Sequence, residues 1–186
     1  ALTTGSDGSI YIAGDTSGDL DGETNSGSGD TFISKYNPNG TKEWTRLLGT
    51  SNFDYGNALT TGSDGSIYIA GYTSGDLDGE TNSGSGDTFI SKFNSDGTKE
   101  WTRLLGSSSY DAGQALTTGS DGSIYVGGYT GGDLDGETNS GSDDAFISKY
   151  NPDGTKEWTR LLGSSSSDYG RALTTGSDGS IYIAGE

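Results

Sequence analysis

Short apolar runs separated by turn residues recur along this chain at a fixed interval. In the second copy, Ala58–Thr61 and Ile67–Gly71 flank Gly62–Ser66, which reads Gly-Ser-Asp-Gly-Ser. Because Asp and Gly tolerate the positive φ angles of tight turns, this pattern predicts a β-hairpin. The same hairpin returns every 57 residues, at Ala1–Gly14, Ala115–Gly128 and Ala172–Gly185.

Two further strands follow the hairpin in each copy. Thr88–Phe93 and Lys99–Leu105 alternate between two faces, as partly buried strands do. Asn94–Thr98 separates them, and its counterpart in the third copy reads Asn-Pro-Asp-Gly-Thr, a strong signal for chain reversal. No window shows helical periodicity. Each copy therefore predicts four antiparallel strands and no helix.

This spacing divides the chain into the repeats 1–57, 58–114 and 115–171, followed by a partial repeat, 172–186. Four short antiparallel strands in tandem are typical of β-propeller blades. The predicted fold class is all-β with propeller-type blades, and an open superhelical stack of sheets is the alternative. One such sheet cannot bury both faces alone, so stability should come from stacking of the units. Propellers close with about 4–8 blades, so we expect further repeats or a second copy of the chain to complete the ring.

Composition narrows the classes of function. The chain has 186 residues with no Cys and no His, which excludes thiol and imidazole catalysis, disulfides and the usual zinc sites. Its net charge of −17 argues against nucleic acid and anionic membranes as partners. No stretch approaches the roughly 20 apolar residues that cross a bilayer. The chain begins in mid-pattern at Ala1, so we expect its targeting signals to lie outside it.

An acidic, Gly-rich loop lies between the second and third strands of each copy, at Ser74–Asp87 in the second. Calcium takes six to eight oxygen ligands from such loops. Counted from Asp76, oxygen-bearing side chains fall at loop positions 1, 3, 5, 7 and 12, although position 6 is Thr81, where an EF-hand requires Gly. The calcium ligands predicted in this register are Asp19, Asp21, Glu23, Asn25, Asp30, Asp76, Asp78, Glu80, Asn82, Asp87, Asp133, Asp135, Glu137, Asn139 and Asp144.

A second register of the same loop starts at Ser74. It resembles the calcium loops of integrin-type propellers and places Gly79 correctly, but Gly131 replaces the serine in the third copy. The alternative to calcium is a solvated loop whose Asp and Asn side chains bond to their own backbone. The sequence is compatible with both hypotheses, calcium binding and a solvated loop.

Aromatic residues supply further candidates. Mid-strand tyrosines between blades are candidates for a sugar-binding cleft, although packing is the commoner role for strand aromatics; they are Tyr11, Tyr68, Tyr125 and Tyr182. Trp44, Trp101 and Trp158 each precede an arginine by two residues, which suits either cation–π pairing or simple packing. The carboxylates Asp76 and Asp78 are similar in spacing to a glycosidase pair, but three equivalent copies without a readable cleft disfavour catalysis.

Asp143–Trp158 (DDAFISKYNPDGTKEW), taken with Ser63–Ser74 (SDGSIYIAGYTS), resembles the bacterial SBBP repeat, which is named for a seven-bladed β-propeller. The resemblance extends over essentially the whole chain. It implies a propeller fold and a secreted or surface-associated bacterial setting, and the family carries no generally agreed activity. We therefore expect a structural or interaction scaffold with calcium-binding acidic loops that self-associates. A carbohydrate-binding module is the alternative.

Overall fold

The computed structural model describes residues 1–186 and confirms an all-β chain of fourteen strands without a helix. The chain therefore contains no helix that could span a membrane. The strands are β1 Leu2–Thr4, β2 Ile10–Thr16, β3 Asp30–Tyr36, β4 Lys42–Leu48, β5 Asp54–Thr61, β6 Ile67–Thr73, β7 Asp87–Phe93, β8 Lys99–Leu105, β9 Asp111–Thr118, β10 Ile124–Thr130, β11 Asp144–Tyr150, β12 Lys156–Leu162, β13 Gly170–Thr175 and β14 Ile181–Gly185.

The strands form three four-stranded antiparallel sheets and one terminal hairpin. We call β1–β4 sheet 1, β5–β8 sheet 2 and β9–β12 sheet 3, and β13–β14 the terminal hairpin. Within each sheet, strands adjacent in sequence are adjacent in space, as in a propeller blade. The sheets lie beside one another and do not close into a ring.

The first strand of a sheet begins earlier than the sequence pattern predicts. β5 starts at Asp54 rather than Ala58, and a β-bulge between Gly56 and Ala58 interrupts its pairing with β6. The bulge breaks the alternation of side chains, which is why the regular pattern is visible only from Ala58 onward. The segment 54–57, counted above with the first repeat, thus belongs to sheet 2.

Hydrophobic cores lie between consecutive sheets rather than within one. The core between sheets 1 and 2 contains Tyr11, Ala13, Ile33 and Leu48 on one side, and Leu59, Ile67, Ile69, Leu77, Phe89 and Phe93 on the other. The equivalent core between sheets 2 and 3 contains Tyr68, Ala70, Ile90 and Leu105, facing Ile124, Val126, Leu134, Phe146 and Tyr150. We call the face of a sheet that points toward the preceding sheet its leading face, and the face that points toward the following sheet its trailing face. Only sheet 2 has both faces covered by four-stranded sheets.

Trp and Arg side chains connect consecutive sheets at their outer strands. Trp44 Nε1 donates to the carbonyl of Ser95 at 3.3 Å, and Arg46 Nε donates to the carbonyl of Gly97 at 3.1 Å. The Arg46 guanidinium also lies 5.7 Å from the centre of the Trp44 ring. Trp101 and Arg103 repeat this arrangement against the corresponding turn of sheet 3. Cation–π pairing and packing, set out above as alternatives, occur together.

Candidate functional site

The acidic loop is built around a two-residue turn. In the second copy the backbone N–H groups of Leu77 and Glu80 each donate to the other's carbonyl, at 3.1 and 3.0 Å. Asp78 and Gly79 between them have φ angles of 54° and 86°, which is the geometry of a type I′ turn. The side chain of Leu77 is 1% exposed and lies in the core between sheets 1 and 2. A buried leucine therefore anchors the loop, and Gly79 serves the turn.

Polar atoms within the chain already contact the predicted calcium ligands. Asp78 pairs with Lys99 and accepts a hydrogen bond from Thr102 Oγ1. Asp76 Oδ1 accepts the backbone N–H of Asn82 at 2.9 Å. The Asn82 side-chain amide in turn donates to a backbone carbonyl at the end of β6, also at 2.9 Å.

Three of the five predicted ligands per loop are held by cations or buried. Glu80 pairs with Arg103 at 3.5 Å, a weaker contact than the Asp78–Lys99 pair. Asp87 is fully buried at the start of β7, where its Oδ2 accepts the N–H of Ser83 at 2.9 Å. Burial raises the pKa of the Asp87 carboxyl. The other two copies place their equivalents in the same way: Asp19, Asp21, Glu23, Asn25 and Asp30; Asp133, Asp135, Glu137, Asn139 and Asp144.

The fifteen predicted ligands do not converge in this structure. No group of three or more acidic side chains is positioned to hold a metal ion. Asp21 and its counterparts instead form ion pairs with the lysine that opens the fourth strand, and the hydrogen bonds from Lys42 and Thr45 lower the pKa of Asp21. Calcium binding stays a prediction.

Buried aspartates that the sequence did not single out lie at the junctions between sheets. Asp111 is fully buried at the start of β9, and its backbone N–H donates to the carbonyl of Gly86 at 2.8 Å, which places it beside Asp87. Burial raises the pKa of Asp111, and the neighbouring Asp111 charge further raises that of Asp87. Asp54 occupies the same position at the preceding junction, and its pKa is also raised by burial.

The mid-strand tyrosines lie between consecutive hairpins, where Tyr11, Tyr68 and Tyr125 each line a small pocket together with turn residues. Tyr11, Tyr68 and Tyr125 are buried under the following blade, each with its ring centre 6.1–6.2 Å from a tryptophan ring. Tyr182 in the terminal hairpin is the exposed exception. These residues therefore contribute to the packing between blades, and sugar binding at them stays a prediction.

A different set of aromatic rings forms a continuous row across the blades. The distances between successive ring centres are 5.8, 4.9, 5.1, 6.0 and 4.8 Å. The rings that we call the tyrosine row are, in order, Phe53, Tyr55, Tyr72, Tyr110, Tyr129 and Tyr169. Phe53 is 48% exposed and the tyrosines are half-buried. Sequence reasoning missed the row because it joins strand ends from different repeats.

Comparison with known proteins identifies the type of repeat. The profile of the SBBP β-propeller repeat matches residues 43–78, 100–135 and 157–186. A β-propeller domain of unknown function, DUF5122, matches residues 5–43, 62–100 and 119–157. Regulatory protein FlaEY of Caulobacter vibrioides is 33% identical over 89% of the chain, which spans 20% of that protein's length.

Among solved structures, the X-ray structure of a protein provisionally assigned as a gluconolactonase matches this chain with a TM-score of 0.50. The two are 16% identical, and the match covers 99% of this chain and 54% of that protein. At this identity the likeness shows the fold alone.

Proposed function

The chain belongs to the SBBP family of β-propeller repeats, and we propose that it is a non-catalytic scaffold that associates with other copies of itself. The observation that carries the proposal is the leading face of sheet 1. Its residues are half-buried, whereas their counterparts in sheets 2 and 3 lie in cores; they are Ile10, Ile12, Leu20, Phe32 and Tyr36. A regulatory relative is in keeping with an interaction role.

A second copy of the chain, or a further repeat of the same kind, suits this face because the chain already contains its partner surface. The trailing faces of sheets 1 and 2 pack against the same leading-face residues at both internal junctions. On sheet 3 the trailing face is covered in part by the terminal hairpin, with Leu173 against Gly127, while Leu162 stays 68% exposed. Contact between leading and trailing faces would be head-to-tail, a geometry that closes into rings or extends into filaments.

Light scattering after size-exclusion chromatography tests self-association. We expect the apparent mass to rise with protein concentration. Ile12→Asp should reduce the mass to that of one chain, because Ile12 is the counterpart of the buried Ile69 and a charge there opposes burial. Thr24→Asp adds the same charge at an exposed loop position and should leave association unchanged. A constant single-chain mass at every concentration would contradict the proposal.

Calcium binding by the acidic loops is a finer proposal, supported by the alternation of oxygen-bearing side chains from Asp76 to Asn82. A bound cation would replace Lys99 at Asp78 and would raise the thermal midpoint in calcium relative to chelator. Asp78→Asn should remove that rise, while Asp96→Asn in the neighbouring turn should not. An identical midpoint in calcium and in chelator would contradict calcium binding. The secreted or surface setting likewise stays a prediction.

A further inference from the structure

The tyrosine row lies where the otherwise repetitive copies differ. Tyr72 stands where the first copy has Asp15, and Tyr110 stands where the third has Ser167. The mid-strand tyrosines Tyr11, Tyr68 and Tyr125 and the three tryptophans are, by contrast, identical in every copy. Some of the differences between copies therefore fall at one end of the blades, on the half-buried positions of the tyrosine row.

The geometry of the row leaves aromatic surface available to a ligand. Tyr72 and Tyr110 meet at 66°, and Tyr129 and Tyr169 meet at 87°, which are edge-to-face contacts. In such a contact one ring presents only its edge to the other. Tyr72 also stacks on Tyr55 at 26°, and Arg171 lies over the Tyr169 ring, so the aromatic surface left to a ligand is the solvent-facing part of these half-buried rings. Tyrosine rings are also amphipathic, with an apolar face beside a hydroxyl that both donates and accepts hydrogen bonds.

The electrostatic surroundings disfavour an anionic ligand. Asp143 Oδ2 accepts the hydroxyl hydrogen of Tyr169 at 3.1 Å, and the Asp15 carboxylate acts on Tyr72. Arg171 lies 4.6 Å from the centre of the Tyr169 ring, but it also pairs with Glu186 at 3.0 Å, so the row gains little free positive charge. Burial raises the pKa of both Tyr72 and Tyr129, which keeps these phenols neutral.

We propose that the tyrosine row binds a neutral glycan chain, with pyranose rings against the free aromatic faces and sugar hydroxyls bonded to the phenols. The row crosses two junctions between blades and therefore suits an extended polymer rather than one small molecule. This assignment rests on the proposed non-catalytic role, since it requires the chain to hold the glycan without cleaving it.

A neutral glycan suits the row better than a proline-rich peptide does. Proline-rich segments dock in grooves lined by aromatic side chains. Successive rings of the row lie 4.8–6.0 Å apart, which is the distance of direct ring contact and leaves no slot between them. A continuous ridge of rings presents faces and hydroxyls rather than grooves.

Isothermal titration with neutral hexasaccharides tests the proposal. The probes are the β-1,4-linked hexamers of glucose, mannose and N-acetylglucosamine, and the α-1,4-linked hexamer of glucose. The variants are Tyr72→Asp and Tyr110→Ser, singly and together, because each reproduces a residue that another copy of the repeat already carries. These substitutions should therefore preserve the fold, which thermal melting checks. Tyr182→Ala is the control, since Tyr182 is 57% exposed but lies outside the row.

We expect at least one hexamer to bind, the double variant to bind it at least tenfold more weakly, and Tyr182→Ala to bind it like the unsubstituted chain. Three results would overturn the glycan assignment. They are absence of binding to every hexamer, an equal loss of binding in Tyr182→Ala, and tighter binding of a proline-rich peptide than of any hexamer. Chromatography of the hexamer after incubation separates the two proposals. Cleavage of the hexamer would overturn the non-catalytic role itself. Hexamer that stays intact but does not bind would overturn only the assignment of the row to glycan binding.

Discussion

Phe89→Ala is expected to lower the free energy of unfolding by about 3–5 kcal/mol, the usual cost of removing a buried aromatic ring. Phe89 is fully buried on the leading face of sheet 2, against the trailing face of sheet 1. Its ring lies directly over the backbone of Gly71, so the cavity left by the substitution cannot close by a small movement of a neighbouring side chain. Guanidinium unfolding followed by tryptophan fluorescence measures the loss.

Sheet 1 contains the matched control. Phe32 occupies the same position in the same local sequence, Thr-Phe-Ile-Ser-Lys, but no sheet covers it and it is only half-buried. Phe32→Ala should therefore cost less than half as much, while Phe146→Ala in the second core should match Phe89→Ala. Equal losses at Phe32 and Phe89 would show that stacking between blades is not the source of stability. The comparison holds sequence constant and varies only the covering sheet.

Asp111→Asn is expected to raise the free energy of unfolding at pH 7 by about 1–3 kcal/mol, because it removes a charge that is buried next to Asp87. The hydrogen-bond partners of Asp111 can also serve an asparagine side chain. Asp111 Oδ2 takes the Ser107 N–H at 2.7 Å, and Oδ1 lies 3.2 Å from Ser107 Oγ, a hydroxyl that can accept as well as donate. Asp87 is a poorer choice, since its Oδ1 has no partner to accept a hydrogen bond from an amide.

The sign of the pH dependence follows from the raised pKa values of Asp54, Asp87 and Asp111. The folded chain binds more protons than the unfolded chain in the window above the ordinary aspartate pKa. The free energy of unfolding therefore rises as the pH falls from neutral through that window, and Asp111→Asn should flatten this rise. Aspartates with lowered pKa values, such as the exposed Asp64 and the partly buried Asp168, act in the opposite sense only at lower pH.

Asp168 is the control for this second prediction. It accepts the same two hydrogen bonds, from the N–H and hydroxyl of Ser164, but it is only partly buried, and these bonds lower its pKa. Asp168→Asn should therefore decrease stability slightly at pH 7, since it weakens charge-assisted bonds without relieving a buried charge. Denaturant titrations at pH 7 and pH 5 compare the two variants. Loss of stability in both at pH 7 would contradict the role assigned to burial.

Local turn chemistry made much of this fold predictable. The Gly62–Ser66 and Asn94–Thr98 turns occur as the sequence indicated, and so do the strands that flank them. Alternation along Thr88–Phe93 correctly separates Phe89, on the leading face, from Ile90, on the trailing face. These features depend on residues within a few positions of one another. Short-range periodicity is therefore sufficient to define them.

The acidic loop shows where such reasoning is incomplete. The calcium prediction treats Asp78 as a ligand, but Asp-Gly is also the strongest signal for a type I′ turn, and Asp78 and Gly79 form that turn. Leu77 is the apolar residue of the loop, and its burial depends on a surface supplied by the preceding sheet. The buried role of Tyr68 likewise depends on the following sheet. Which sheet covers which side chain is a tertiary property that a single repeat does not encode.

The contiguity of the strands within each sheet has a consequence for how such a chain changes over time. Since β5, β6, β7 and β8 pair only with their sequence neighbours, every β-ladder is completed within one segment of about 50 residues. Unequal recombination between two near-identical copies could delete or duplicate a whole unit and leave each remaining ladder intact. Recombination can thus change the number of blades by one whole unit at a time, and every four-stranded sheet of the chain encoded after each step is still complete.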